Sequence, residues 1–176
     1  MKKNSIIFVI LFLIVAAGSY AFVQKYYFVS PQPVEGPEFL KDESKPEETI
    51  TVQAFFNNNM LDPEFTCTKV FPVERVIPKT QAVGRAALEE LLKGPTGPEK
   101  EESFSTSINP GVKIQSLVIE NGVAKVDFDE QLEFQVGGSC RVSAIRAQIT
   151  ETLKQFPTVK TVVISINGRT EDILQP

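Results

Sequence analysis

The chain of 176 residues contains no histidine and no tryptophan, and only two cysteines. Lack of histidine removes the usual general base near neutral pH, the commonest zinc ligand and the base of every Ser-His or Cys-His nucleophile pair. Acidic residues are missing from the first 34 positions, whereas Lys2, Lys3 and Lys25 all fall there. Beyond Lys25 the balance is 15 basic against 22 acidic residues. A body with that excess has no basic surface for neutralising phosphates, so nucleic acid and anionic headgroups are not expected partners. Nor is there a phosphate-binding glycine loop, a calcium-loop spacing or a cofactor motif: the expected cofactors and metals are none. What the sequence does hold is 42% hydrophobic and 23% charged residues, the composition of a globular protein.

Residues 6–23, IIFVILFLIVAAGSYAFV, carry no charge. At about 1.5 Å rise per residue this run just reaches across a bilayer core, and it exceeds the roughly 7–15 residues of a signal-peptide core. Two lysines before it and one after it favour residues 1–5 in the cytoplasm and the body outside. The expectation is a single-pass membrane anchor over 6–23, with secretion after cleavage near Ala21 as the alternative. No cysteine lies near the segment, which excludes lipid attachment at a lipobox. Residues 24–48 follow as a linker rich in proline and glutamate, in which Pro31, Pro33, Pro37 and Pro46 forbid a regular helix.

The folded body is expected over 49–170, with 171–176 as a tail. Thr49–Asn57 is rich in β-branched and aromatic residues and reads as a strand, followed by a turn at Asn57-Asn58-Asn59. Thr68–Val76 reads as a second strand that Pro72 confines to an edge. Thr80 is placed to cap a helix with Val83, Ala87, Leu88, Leu91 and Leu92 on one face, ended by Gly94-Pro95. A polar loop is expected over Thr96–Ser105. Gly111–Asp127 reads as a hairpin about Asn121-Gly122, the pair favoured in a type I′ turn. Gly138 and Ser139 open a second helix with the stripe Val142, Ile145, Ile149, Leu153 and Phe156. Val159–Ile166 is densely apolar and reads as a final, central strand, after which Asn167-Gly168 turns the chain out. The order β-β-α-β-β-α-β predicts an α+β fold in which one mixed sheet carries two helices on a single face. Phe55, Phe56, Phe71 and Phe134 are read as core.

Four runs resemble the GerMN domain of sporulation and germination proteins: FPVERVIP at 71–78, AALEELLKGPT at 86–96, SINPGVKIQSLVIENGVAKVDF at 107–128 and RAQITETLKQFPTVKTVVISINGR at 146–169. The resemblance implies a bacterial, secreted or membrane-attached protein. It also implies a fold similar to ring-building modules, with no catalytic centre.

Among residues with chemistry to offer, Cys67 and Cys140 come first. Two cysteines in one small extracytoplasmic domain point to a disulfide. A reactive thiol at Cys140, beside a helix start, and two unpaired core thiols are the alternatives. A redox dithiol normally needs closer spacing. Asp127 and Asp129 flank Phe128 and offer a paired-carboxylate reading; a solvated strand end is the preferred one. Arg75, Arg146 and Gln148 lie in the matching runs and are candidates for binding a carboxylate of a wall peptide or a neighbouring subunit. Surface ion pairs with Glu74 or Glu151 are the competing reading for the arginines. Together these features predict a membrane-tethered, non-catalytic binding or assembly module of the cell envelope that self-associates or takes a wall or envelope partner. An envelope enzyme acting on wall peptide or glycan through carboxylates or a thiol is the alternative.

Overall fold

The computed structural model describes residues 48–175; the anchor predicted at 6–23 and nearly all of the linker lie outside them. Among the described residues no helix is long and apolar enough to cross a membrane.

The elements are β1 (Thr49–Asn58), β2 (Phe71–Pro78), α1 (Val83–Lys93), α2 (Gly97–Glu101), β3 (Phe104–Ser105), β4 (Ile114–Glu120), β5 (Val123–Phe128), a 3₁₀ turn (Glu130–Leu132), α3 (Ser139–Lys154) and β6 (Thr161–Ile166). The α+β class and the expected order of the main elements hold. Alternation along β1 buries Val52, Ala54 and Phe56, and along β5 it buries Ala124, Val126 and Phe128. These faces meet Leu88 and Leu91 of α1 and Val142, Ile145, Ile149 and Leu153 of α3 in a shared core. A large apolar side chain fully buried there contributes roughly 1.5–3 kcal/mol.

The single mixed sheet is instead two three-stranded sheets, β2-β1-β3 and β4-β5-β6. The break has a visible cause. The edge of β1 that faces away from β2 is closed by helix side chains. Gln155 accepts from Gln53 N–H at 2.8 Å and donates to Gln53 C=O at 2.6 Å, and Thr152 Oγ1 accepts from Phe55 N–H at 3.1 Å. Beyond them β3 pairs with Asn57 and Asn58. With these backbone groups taken, the middle and end of β1 are not free to pair with the second sheet. β2, with Pro72 and Pro78, is an edge strand as expected.

β6 is not central: it lies at an edge, parallel to β5. Its apolar run is explained by the returning chain, which bridges Ile166 to Arg169 and sends Ile173 and Leu174 into the core. The body therefore extends past residue 170, and the expected tail is structural through Leu174. The stretch expected as a polar loop contains α2 and β3. Phe134 is 57% exposed and does not belong to the core. Thr80 does not cap α1 directly; its hydroxyl accepts from Ala82 N–H, one residue before the first helical position.

Two glycines are required where they stand. Asn121 and Gly122 both have positive φ, 52° and 81°, as the type I′ hairpin demands. Gly84 lets α1 approach β4, since a Cβ there would lie 3.1 Å from Ile119 Cδ1.

Candidate functional site

At the end of β1 the chain passes through residues 59–70 before returning as β2. Two buried side chains organise this loop. Asn58 Oδ1 accepts from the N–H groups of Met60 and Leu61, while its amide donates to Glu102 C=O. Asp62 Oδ2 accepts from both the backbone and the hydroxyl of Thr66 at 2.8 Å. Because short Asx side chains imitate backbone turns, the loop holds itself in shape. Its apolar residues point outward: Met60 is 74% exposed and Phe65 64%.

A disulfide between Cys67 and Cys140, with Cα atoms 5.1 Å apart, ties this loop to the first turn of α3. The predicted pairing is thus present, and it removes both the reactive-thiol and the unpaired-thiol readings, because neither cysteine is free. Closing 73 positions of chain stabilises the fold by about 4 kcal/mol on the chain-entropy model.

Beside the bond lies an open cleft of about 350 Å³, whose walls include Asn57, Asn59, Phe65, Lys69, Ser107 and Arg141. Arg141 is held by three neutral acceptors: Nε donates to Ser107 C=O, Nη1 to Gln135 C=O and Nη2 to Asn109 Oδ1 at 2.6 Å. Asn109 in turn donates to the carbonyls of Gln131 and Phe134, tying the segment before α3 to the same wall.

Sequence reasoning named other residues, and the structure does not bring them together. Arg75 grips Glu99 with both terminal nitrogens, at 2.5 and 2.7 Å, and lies over the Phe56 ring. Neither Glu74 nor Glu151 forms an ion pair with it; Glu90 is its second acidic neighbour, at 3.8 Å. The Arg75 guanidinium holds the Glu99 carboxyl below the usual glutamate range, opposed by burial and aided by the Thr96 N–H. With its folded pKa depressed, Glu99 contributes stability above the ordinary glutamate range that is lost as pH falls through its lowered value. Arg146 donates to Ile173 C=O and anchors the C-terminal return. Gln148, fully buried, accepts from Thr106 Oγ1 and Ser107 N–H, tying the chain after β3 to α3. All three therefore have partners inside the fold.

Asp127 and Asp129 each have hydrogen-bond partners inside the fold. Asp127 Oδ1 accepts from Ser165 Oγ at 2.6 Å and from Gly168 N–H, and Asp129 Oδ1 accepts from Lys113 N–H. Among the described residues no group of acidic or cysteine side chains is arranged to hold a metal ion.

The cleft residues that sequence reasoning missed, Arg141 and Lys69, stand one and two positions from the cysteines. That adjacency was the available signal, since a disulfide brings the neighbours of both partners together.

No curated protein matches the chain. Among solved structures, it is similar to the tandem GerMN domains of the sporulation protein GerM from Bacillus subtilis. That match has 25% identity and a TM-score of 0.55, and covers 69% of this chain. This chain spans 40% of the tandem protein's length. The first GerMN domain of the same protein matches at 20% identity and TM-score 0.48, over 69% of this chain and 85% of that one. A putative lipoprotein from Clostridium perfringens matches at 16% identity and TM-score 0.47, over 72% and 80%. Residues 54–172, more than half of the chain and most of the region that carries the shared core, match the family described as Germane, sporulation and spore germination. The chain belongs to the Germane family of GerMN-type sporulation and spore germination domains.

Proposed function

We propose that this protein is a non-catalytic binding module of the bacterial cell envelope, tethered by the segment at 6–23 with its body outside the cytoplasm. The observation that carries this reading is the Cys67–Cys140 disulfide, a bond that persists in oxidising compartments and is rare in the cytosol. The bond braces a loop that holds Phe65 and Met60 out to solvent beside a polar cleft, which is how a rigid scaffold presents a binding surface. The apolar run at 6–23 and the proline- and glutamate-rich segment after it are read as the tether.

A photo-crosslinking side chain at Phe65, in the full-length protein expressed in its own cells, tests both parts. A discrete adduct with an envelope component is expected. The same group at Lys125, on the exposed side of β5, is expected to give none. Protease added to intact wall-stripped cells is expected to remove the body. A body protected from that protease, or the absence of any Phe65-specific adduct, would refute the proposal.

A further inference from the structure

Arg75, Arg85 and Arg169 each face a glutamate within ion-pair distance, whereas Arg146, bonded to Ile173 C=O, does not. Arg141 and Lys69, the two cations lining the cleft beside the disulfide, have no carboxylate partner among the described residues. On a body with an excess of acidic residues, this cleft places two cations in its lining. The one carboxylate in the cleft wall, Asp62, is buried, and one of its oxygens already takes two donors from Thr66.

Arg141 is also preorganised. Its three nitrogens each make one hydrogen bond to a neutral oxygen, which fixes the guanidinium plane without neutralising it. Of its five N–H groups two are left unused by these bonds, and the delocalised charge of the guanidinium is not cancelled by any of them. Asn57, Asn59 and Ser107 add side chains that both donate and accept, as a peptide bond requires. Phe65 supplies an apolar surface at the mouth. A volume of about 350 Å³ is at the small end of ligand sites and suits the end of a chain, not a folded partner.

Resting on the binding-module reading, we infer that this cleft receives a peptide end. Its terminal carboxylate sits against Arg141 and Lys69, its amides meet Asn57 and Asn59, and an apolar side chain lies on Phe65. A single guanidinium fork with one lysine fits a monoanion, and the amide oxygens of the walls, which only accept, match the N–H groups of a peptide and not the oxygens of a bare phosphate.

The test uses the full chain in detergent micelles and a titration followed by amide NMR. The probes are N-acetyl-phenylalanyl-alanine as the free acid, the same dipeptide as its C-terminal amide, and inorganic phosphate. The acid is expected to move the signals of residues 57–69, 105–107 and 140–141. The amide is expected to bind roughly tenfold more weakly or worse, having lost its charge-assisted hydrogen bonds. Lys69→Gln, on an exposed residue, is expected to weaken the acid several-fold without changing the melting temperature. Arg141→Gln is expected to weaken it further, and the unchanged fold of Lys69→Gln guards against an Arg141 variant that loosens its loops. No shifts with either peptide, equal binding of acid and amide, tighter binding of phosphate, or no effect of Lys69→Gln would each overturn the assignment. A Phe65 crosslink that persists while acid and amide bind alike would overturn the carboxylate site and leave the binding module standing.

Discussion

Two strand connections in this domain do the same job by opposite means. The turn from β4 to β5 needs only Asn121 and Gly122, whose positive φ angles close the hairpin in two residues. The passage from β1 to β2 takes residues 59–70 and is shaped by Asn58, by Asp62 and by a disulfide to a helix far along the chain. One connection is a property of its own dihedral preferences. The other exists only once α3 is in place. The locally determined turn is complete in two residues, whereas the long loop gains a rigid outward surface and a cleft beside the disulfide.

The sharpest way to break this contrast is to remove the staple. Replacing both cysteines, Cys67→Ser with Cys140→Ser, is expected to cost about 4 kcal/mol in chemical denaturation. It should raise hydrogen exchange at Met60, Leu61 and Phe65 through local opening of the loop, while the β4–β5 amides lose no more protection than the global loss of stability accounts for. Unchanged exchange in the loop would show that Asn58 and Asp62 suffice without the bond.

A smaller effect is expected from Gln148→Leu in α3. It leaves the Ser107 N–H, and the Thr106 hydroxyl beside it, without their acceptor, at a cost of about 1–3 kcal/mol. Exchange should rise at Ser107 on the cleft wall and not at Val123 or Lys125. If stability falls with no change near Ser107, the glutamine acts through packing alone.

The smallest effect tests the other connection. Gly122→Ala meets only the Lys160 side chain, at 3.6 Å, so its cost is the left-handed backbone, about 1 kcal/mol. The hairpin should fray and the peptide cleft should be untouched. A stability loss well above that figure would mean the turn carries contacts beyond its own dihedrals.

The features legible in the sequence were those with a local cause. The stripe of α3, Val142 to Leu153, is buried as its period requires, and Gly94 ends α1 with φ of 76°. The hairpin pair and the edge placement of β2 by Pro72 were likewise readable. Phe134 misled, because hydrophobicity alone does not say whether a loop residue faces in. Arg75 and Gln148 stood out for a different reason. Residues that match a family's pattern are conspicuous whether they bind a ligand or hold the fold, and here both are spent on internal partners.

The sequence by itself determined the α+β class, the identity and order of the main elements, the tight turn and the number of cysteines available to pair. Those follow from φ/ψ preference and from periods of 2 and 3.6 residues, which act over a few neighbours. Only the tertiary structure decided that β1 would be closed by Gln155 and Thr152 and the sheet divided in two, that Ile173 and Leu174 would return to the core, and that Arg141 would be left with its charge uncompensated beside the disulfide. Each of these depends on which distant group arrives to satisfy a backbone edge or a charge, and that is settled by packing over the whole chain.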